Sequence, residues 1–423
     1  MSSKARSFFI LFLACSLLIG SFAFLALAED KEPVKIGIVL PMSPPGAYNT
    51  GTKMYRAAQL AASKVNDSGG ILGGRKVKLI LVDSRGMPEQ GKAAVERLIT
   101  KEKVVGIIGN YHSGVALAQM PILKKYHIPY ICAEAWDDRV TSKGQEEVFR
   151  ISITTSMYTQ IAVDWMKAVG FEKVYLLHEN TAYGEWLKGY FSEQLDATDI
   201  EYKNVMADPK TQDFTSTLLR IAQWEPDLLF GDVTGPASFS LLKQSKNTGL
   251  APTPDTAYYG SITLLNSKEF WESAGENGKY TVVSRIALPP TVESEMAKEV
   301  QKKFKETYDR DMTPQAMEGY DAFMLMVEAM KSAESTDADA VIHALENIKW
   351  DGVRGTYQFP YGSDNPVPED MPDYMWHQFP DVTCYLLEYT EVGQTPTEAP
   401  VIWPPEWASD VVGSDYYIPV PEE

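Results

Sequence analysis

Side chains able to do covalent or metal chemistry occur in this sequence, but not at the spacings such chemistry needs. The five histidines, His112, His127, His178, His343 and His377, are never closer than 15 residues, and no Cys-x-x-Cys pair occurs. Nothing local therefore points to a metal site. Ser113 follows His112 directly, but chain neighbours rarely face one another as nucleophile and base, and no Gly-x-Ser-x-Gly elbow is present. The run Ser68-Gly69-Gly70-Ile71-Leu72-Gly73-Gly74 lacks the glycine spacing that cradles a pyrophosphate, and no phosphate-loop motif is found. No enzyme activity, metal or cofactor is expected. What remains is a scatter of hydroxyls, aromatic rings and single acids: Tyr48, Tyr111, Ser113, Trp136, Tyr183, Asp232, Thr234 and Ser261. Such groups suit the non-covalent capture of a small molecule.

The elements that must position them alternate regularly. Val34 to Leu40, Lys76 to Val82, Val104 to Gly109 and Ile128 to Cys132 read as short Val- and Ile-rich strands buried on both faces. Between them run helices, over Thr50 to Val65 and from Pro88 onward. The pattern restarts with a helix over Thr159 to Val169 and strands at Val174 to Leu177, Leu228 to Phe230 and Ala257 to Tyr259. Two successive α/β units, each a doubly wound parallel sheet, follow from this alternation. In such sheets ligands bind beyond the carboxyl ends of the strands, which is where the loops carrying the eight residues fall. Beyond Tyr280 the chain reads as helical, with Met317, Tyr320, Phe323, Met324 and Val327 as a core-facing stripe. A strand is expected at Thr383 to Tyr389, and the Pro-rich segment 391–423 reads as an extended strap or a loose end.

Composition narrows the partners. With 423 residues, 44% hydrophobic and 23% charged, the chain is globular and long enough for two or three domains. Its 57 acidic against 39 basic residues give a formal charge of -18. That balance repels phosphates and argues against nucleic acid or an anionic membrane as the main partner. Lys4 and Arg6 precede an apolar stretch from Phe8 to Leu27 that ends Ala26-Leu27-Ala28. Residues 1–28 read as a secretory signal cleaved after Ala28, with an uncleaved anchor as the alternative. Cys132 and Cys384 would remain in the mature chain, either bridged or as two buried thiols.

Several segments together resemble a known family. Val34-Lys35-Ile36-Gly37-Ile38-Val39-Leu40-Pro41-Met42-Ser43, then Gly46-Ala47-Tyr48, and Val65-Asn66-Asp67-Ser68-Gly69-Gly70-Ile71-Leu72-Gly73-Gly74-Arg75 are similar to the start of periplasmic solute-binding proteins of the leucine/isoleucine/valine-binding type, receptors of ABC importers. Val105 to Gly109 with Ser113, Ile128 to Ile131, Tyr183-Gly184, Gly319-Tyr320-Asp321-Ala322 and Gly352-Val353-Arg354-Gly355 extend the likeness to about Phe359.

The resemblance implies two lobes joined by a hinge that the chain crosses three times, near Ile151 to Thr154, Arg285 to Pro289 and Gly355 to Phe359. The first lobe would take 33–152 and 286–354, and the second 153–285 and 355–390. It further implies an exported, extracytoplasmic monomer that closes on a small polar ligand and delivers it to an ABC permease. Ser113 falls at the family serine that holds a ligand carboxylate, Ala135 at a position supplying backbone contacts, and Tyr183 at one that closes over the ligand. Trp136 stands where amino-acid binders often carry Thr or Ser, and the second-lobe acid near Ser261-Ile262 is missing, with Asp232 as its substitute from a neighbouring loop. The ligand implied is a branched-chain amino acid. An amide, urea-like or aromatic acid is the competitor, and a ligand-sensing module for a membrane receptor is the alternative role.

Overall fold

The fold is described from a computed structural model covering residues 31–265, 267–289 and 292–421; the expected signal segment lies outside these residues. β1 (Val34–Leu40) is buried along nearly its whole length, because parallel neighbours flank it on both sides. β2 (Val77–Asp83), β3 (Gly106–Gly109), β4 (Tyr130–Cys132) and β5 (Val148–Arg150) complete a five-stranded parallel sheet in the order β2-β1-β3-β4-β5. α1 (Tyr48–Asp67), α2 (Pro88–Arg97) and α3 (Ser113–Tyr126) are its crossovers.

The chain then leaves through Ile151 to Thr154 and begins again. Thr154 caps α4 (Thr155–Val169) by accepting the Met157 N–H at 3.1 Å, and Gly170 ends it at φ 86°. β6 (Lys173–Glu179), α5 (Ala182–Leu195), β7 (Glu201–Ala207), α6 (Thr215–Ala222), β8 (Leu228–Asp232), α7 (Ala237–Asn247), β9 (Ala257–Gly260), α8 (Ser267–Ala274) and β10 (Thr281–Arg285) follow. The parallel part of this sheet runs β7-β6-β8-β9-β10, the same winding as the first. Each sheet therefore reverses direction once, between β1 and β3 and between β6 and β8, and the crevice at such a reversal is where doubly wound sheets bind ligands.

α9 (Glu295–Tyr308), α10 (Pro314–Ser332) and α11 (Ala338–Glu346) return to the first core. α10 lies so close to α1 that a Cβ on Gly319 would stand 2.5 Å from the Met54 carbonyl oxygen, so only glycine fits there. All five residues of the expected stripe on α10 are buried in that core. A hairpin of β11 (Trp350–Gly352) and β12 (Gly355–Tyr357) follows. β13 (Tyr385–Tyr389) then pairs antiparallel with β10, and β14 (Val401–Trp403) with β13, widening the second sheet to seven strands.

Two features differ from the sequence reading, and the Pro-rich segment takes the strap alternative. Tyr357, Phe359 and Phe379 pack in the first core, and Arg150 bridges to Gln378, so the third passage between sheets falls between Phe379 and Tyr385 and residues 355–379 go with the first lobe. β10 occupies the start of the region read as helical; its short Thr-Val-Val-Ser-Arg run carries little pattern of its own and is buried between β9 and β13. The Pro-rich segment is anchored through β14 and through Tyr416, whose carbonyl accepts the Trp165 indole N–H at 2.8 Å. Cys132 and Cys384 are both buried and free.

Candidate functional site: a cavity between the two sheets

The loops after β3, β4, β6, β8 and β9, with Gly86 and Pro88 after β2, enclose a cavity of about 290 Å³. Its wall is aromatic and acidic. Tyr111, His112, Trp136 and Tyr183 supply rings, Glu134, Glu179 and Asp232 carboxyls, and Ser113, Thr181 and Thr234 hydroxyls. No Lys or Arg lines it among the described residues.

On the first-sheet side, Ser113 is the opening residue of α3, not its cap. Its Oγ accepts the Asp137 N–H at 3.2 Å, which ties the loop after β3 to the loop after β4 and leaves the hydroxyl proton free to donate. Trp136 is held from behind. Its carbonyl accepts from Arg150 Nη1 at 3.3 Å, Thr155 N at 2.8 Å and Thr155 Oγ1 at 3.0 Å. Arg150, wholly buried, also donates to the Asp137 carbonyl at 2.7 Å, Thr141 Oγ1 at 2.7 Å and Gln378 Oε1 at 2.6 Å. One guanidinium thus fixes the loop that carries the indole. The indole crosses to the second core, with ring centroids 4.9 Å from Tyr158 and 5.8 Å from Tyr183, the latter edge-on. The rims meet again where Arg139 lies over the Trp186 ring at 4.7 Å.

On the second-sheet side, Thr181 caps α5 by accepting the Gly184 N–H at 3.2 Å. Glu179 accepts three hydrogen bonds, from Thr181 Oγ1, Thr234 N and Thr234 Oγ1, each at 2.8 Å. Asp232 accepts the Tyr183 hydroxyl at 2.5 Å. Burial, opposed by Tyr183 and reinforced by the nearby Glu179, pushes its carboxyl up to about 7. Burial likewise lowers His112 to about 4, so the ring is neutral at physiological pH. Tyr111 is driven well above the ordinary phenol range by burial and then by the charges of Glu134 and Glu179, with a Thr263 hydrogen bond opposing and Asp232 adding to the rise.

Of the residues singled out from sequence, the fold brings Ser113, Trp136, Tyr183, Asp232, Tyr111 and Thr234 to one wall. Three stand elsewhere. Ala135 is buried behind the wall, its carbonyl facing the Cys132 thiol at 3.8 Å, because successive residues of an extended loop point to opposite sides. Tyr48 opens α1 and leaves the cavity edge to the loop after β3. Ser261 is buried behind Asp232, close enough to hydrogen-bond its carboxyl, and so supports the site from outside it. Glu134, Glu179 and His112 line the cavity without having been singled out, although each lies in a loop expected at a rim. That they are ionisable residues at strand ends was the available signal.

Histidine and carboxylate groups gather at two further places, His127 with Glu146 and Glu147, and His343 with Glu346 and Asp364. Both lie away from the cavity. Hydrogen bonds engage a member of each group: His127 contacts Glu147 at 2.9 Å and Asp339 at 2.7 Å, and Glu346 accepts from His377 at 2.8 Å.

Known proteins place this architecture. A profile of the family described as periplasmic binding protein matches residues 33–376. BraC3 of Rhizobium johnstonii, a Leu/Ile/Val-binding protein, is 26% identical over 335 residues, spanning 78% of this chain and 88% of its own. LivJ of Streptococcus pneumoniae, a branched-chain amino acid transporter substrate-binding protein solved with isoleucine, superposes with a TM-score of 0.75 at 20% identity, over 88% of this chain and 100% of its own. A solute-binding protein of an ABC transporter from Rhodopseudomonas palustris, solved with 3,4-dihydroxy benzoic acid, gives 0.72 at 24% identity over 87% and 95%. The twin sheets of identical winding, the cavity at their facing strand ends and a profile match over most of the length lead to one assignment: the chain belongs to the periplasmic binding protein family, an extracytoplasmic class of solute-binding receptors.

Proposed function

We propose that this protein is the ligand-capturing receptor of an ABC importer and that its cavity takes an amino acid of the branched-chain type. The observation that carries this reading is the pairing, in one cavity, of a free hydroxyl at the start of α3 with a buried acid across from it, Ser113 and Asp232. A carboxylate is favoured at the first, where helix N–H groups and the hydroxyl donate. An ammonium is favoured at the second, where no basic side chain lining the cavity competes. The rings of Tyr111, Trp136 and Tyr183 leave an apolar middle for the side chain.

Capture works by population shift. A ligand that touches Ser113 and Trp136 from one rim and Tyr183 and Asp232 from the other favours the closed arrangement, which the permease then recognises in the monomeric receptor. The aromatic wall favours a second reading, an aromatic carboxylic acid stacked on Trp136, and the Rhodopseudomonas relative solved with 3,4-dihydroxy benzoic acid supports it.

A thermal-shift screen over amino acids, amides and aromatic acids separates the readings. Leucine, isoleucine or valine should give the largest stabilisation; a benzoate that exceeds them favours the second reading. Ser113→Ala should weaken the best hit about 10-fold, the loss of one charge-assisted hydrogen bond. An affinity unchanged within a factor of about 2 removes Ser113 from the site.

A further inference from the structure

The first-lobe wall of the cavity holds a buried acid with one oxygen left without a hydrogen bond. Glu134 follows β4, is 2% exposed and lines the cavity, yet its Oε1 is buried and accepts no hydrogen bond. Behind it, Glu318 of α10 is buried and ion-paired with Arg354 of the β11–β12 turn. The remaining oxygen of Glu318 is also without a partner, as is the indole N–H of Trp136. Arg354 pairs with Glu318 through Nη1 and its Nε is left without a partner, while its main-chain N–H donates to Asp321 at 3.1 Å. A buried carboxyl without a donor is costly unless something completes it. Glu318, Gln315 and the Trp136 indole lie close to the Glu134 carboxyl, which also lines the cavity.

We propose that Glu134 is the specificity-determining acid of the cavity, receiving the ammonium of the ligand from the first lobe while Asp232 receives it from the second. This rests on the amino-acid reading above and goes beyond it. An ammonium carries three N–H donors and needs more than one acceptor when buried. Glu179 already accepts three hydrogen bonds from its own lobe, whereas the Glu134 Oε1 accepts none. Glu134 and Asp232 belong to opposite lobes and line the same cavity, so a single cation held there can face both. Bridging the acids gives the closed state an interaction that the open state lacks. The expected consequence is strong selection for amino acids over carboxylic acids of the same shape, because the latter leave two buried acids facing an uncharged methylene.

The test is isothermal titration at pH 8 of wild type, Glu134→Gln and Glu134→Asp with leucine and phenylalanine and with their des-amino counterparts isocaproate and hydrocinnamate. Wild type should bind the better amino acid at least about 10-fold more tightly than its des-amino counterpart. Glu134→Gln should lose about 10- to 100-fold for the amino acid and stay within about 2-fold for the des-amino acid. Glu134→Asp keeps the charge on a shorter arm and should recover part of the loss; it also decides the matter if the Gln variant does not fold. Equal losses for both ligand types, or an unchanged ratio in both variants, overturn the role of Glu134 and leave the amino-acid reading standing. Preference of wild type for the des-amino acids overturns both, and so does binding of neither class.

Discussion

Arg354→Met should lower the unfolding free energy at pH 8 by about 3–5 kcal/mol, the usual cost of removing one partner from a buried ion pair. The Arg354 side chain is 2% exposed and that of Glu318 wholly buried. Around them lie Glu134, whose Oε1 accepts no hydrogen bond, and Asp321, which accepts Val353 N at 2.9 Å, Arg354 N at 3.1 Å and the Tyr357 hydroxyl at 2.8 Å. A single guanidinium serves this group of acids, and methionine fills its volume without its charge. The loss should depend on pH in a defined direction. Burial raises Glu134, lifts Glu318 well above the ordinary carboxylate range and pushes Asp321 up to about 6. Groups whose folded values are raised hold protons more tightly in the folded chain, so their contribution favours stability at low pH and is lost as pH rises through the folded values. Without Arg354 those values rise further. Urea unfolding should therefore show the full deficit at pH 8 and a clearly smaller one near pH 5. A deficit under about 1 kcal/mol, or one equal at both pH values, contradicts the assignment of this pair as the counter-charge of the buried acids.

The strands that build the site are legible in the sequence because burial on both faces imposes a composition. Val34 to Leu40 is apolar but for Lys35 for that reason, and the structure gives it the same limits. β7 escapes the same reading because it is an edge strand: Glu201 and Lys203 are exposed on Glu201–Ala207, Asn204 contacts the buried His178, and the apolar run is broken. The loops at the sheet reversals are also legible, since topology alone places them, and Tyr111, Ser113, Trp136, Tyr183 and Asp232 meet there. Glu134 is harder. Its neighbours Glu318 and Arg354 lie far along the chain, so nothing local distinguishes an unpaired acid in a cavity from an ordinary loop glutamate. The third passage between the lobes is illegible for a related reason. It depends on Arg150 reaching Gln378, a contact across 228 residues.

Asp232→Asn should stabilise the protein while disabling it. The carboxyl sits 2% exposed between Tyr183 and Ser261, and burial pushes it from the ordinary 3.8 to about 7. A raised value for an acid means that the charged form is disfavoured in the folded chain. Stability attached to this group is therefore fully present at low pH, falls as pH rises from the unfolded value toward about 7, and is lowest above it. Asparagine has the same shape, can still accept the Tyr183 hydroxyl, and is never charged. At pH 8 the variant should be more stable than wild type, by on the order of 2–4 kcal/mol, and at pH 4 the two should nearly coincide. Binding should move the other way. An ammonium needs the carboxylate, so wild-type affinity for leucine should fall as pH drops below about 7, approaching about 10-fold per pH unit. The Asn variant should bind weakly at every pH and show a flatter profile between pH 5 and 8. Gain of stability with loss of affinity is the pattern expected where a fold keeps a strained charge for its ligand. If Asp232→Asn instead loses stability at pH 8, the carboxylate is a structural acceptor for Tyr183 and Ser261, and the ammonium must be held by other groups.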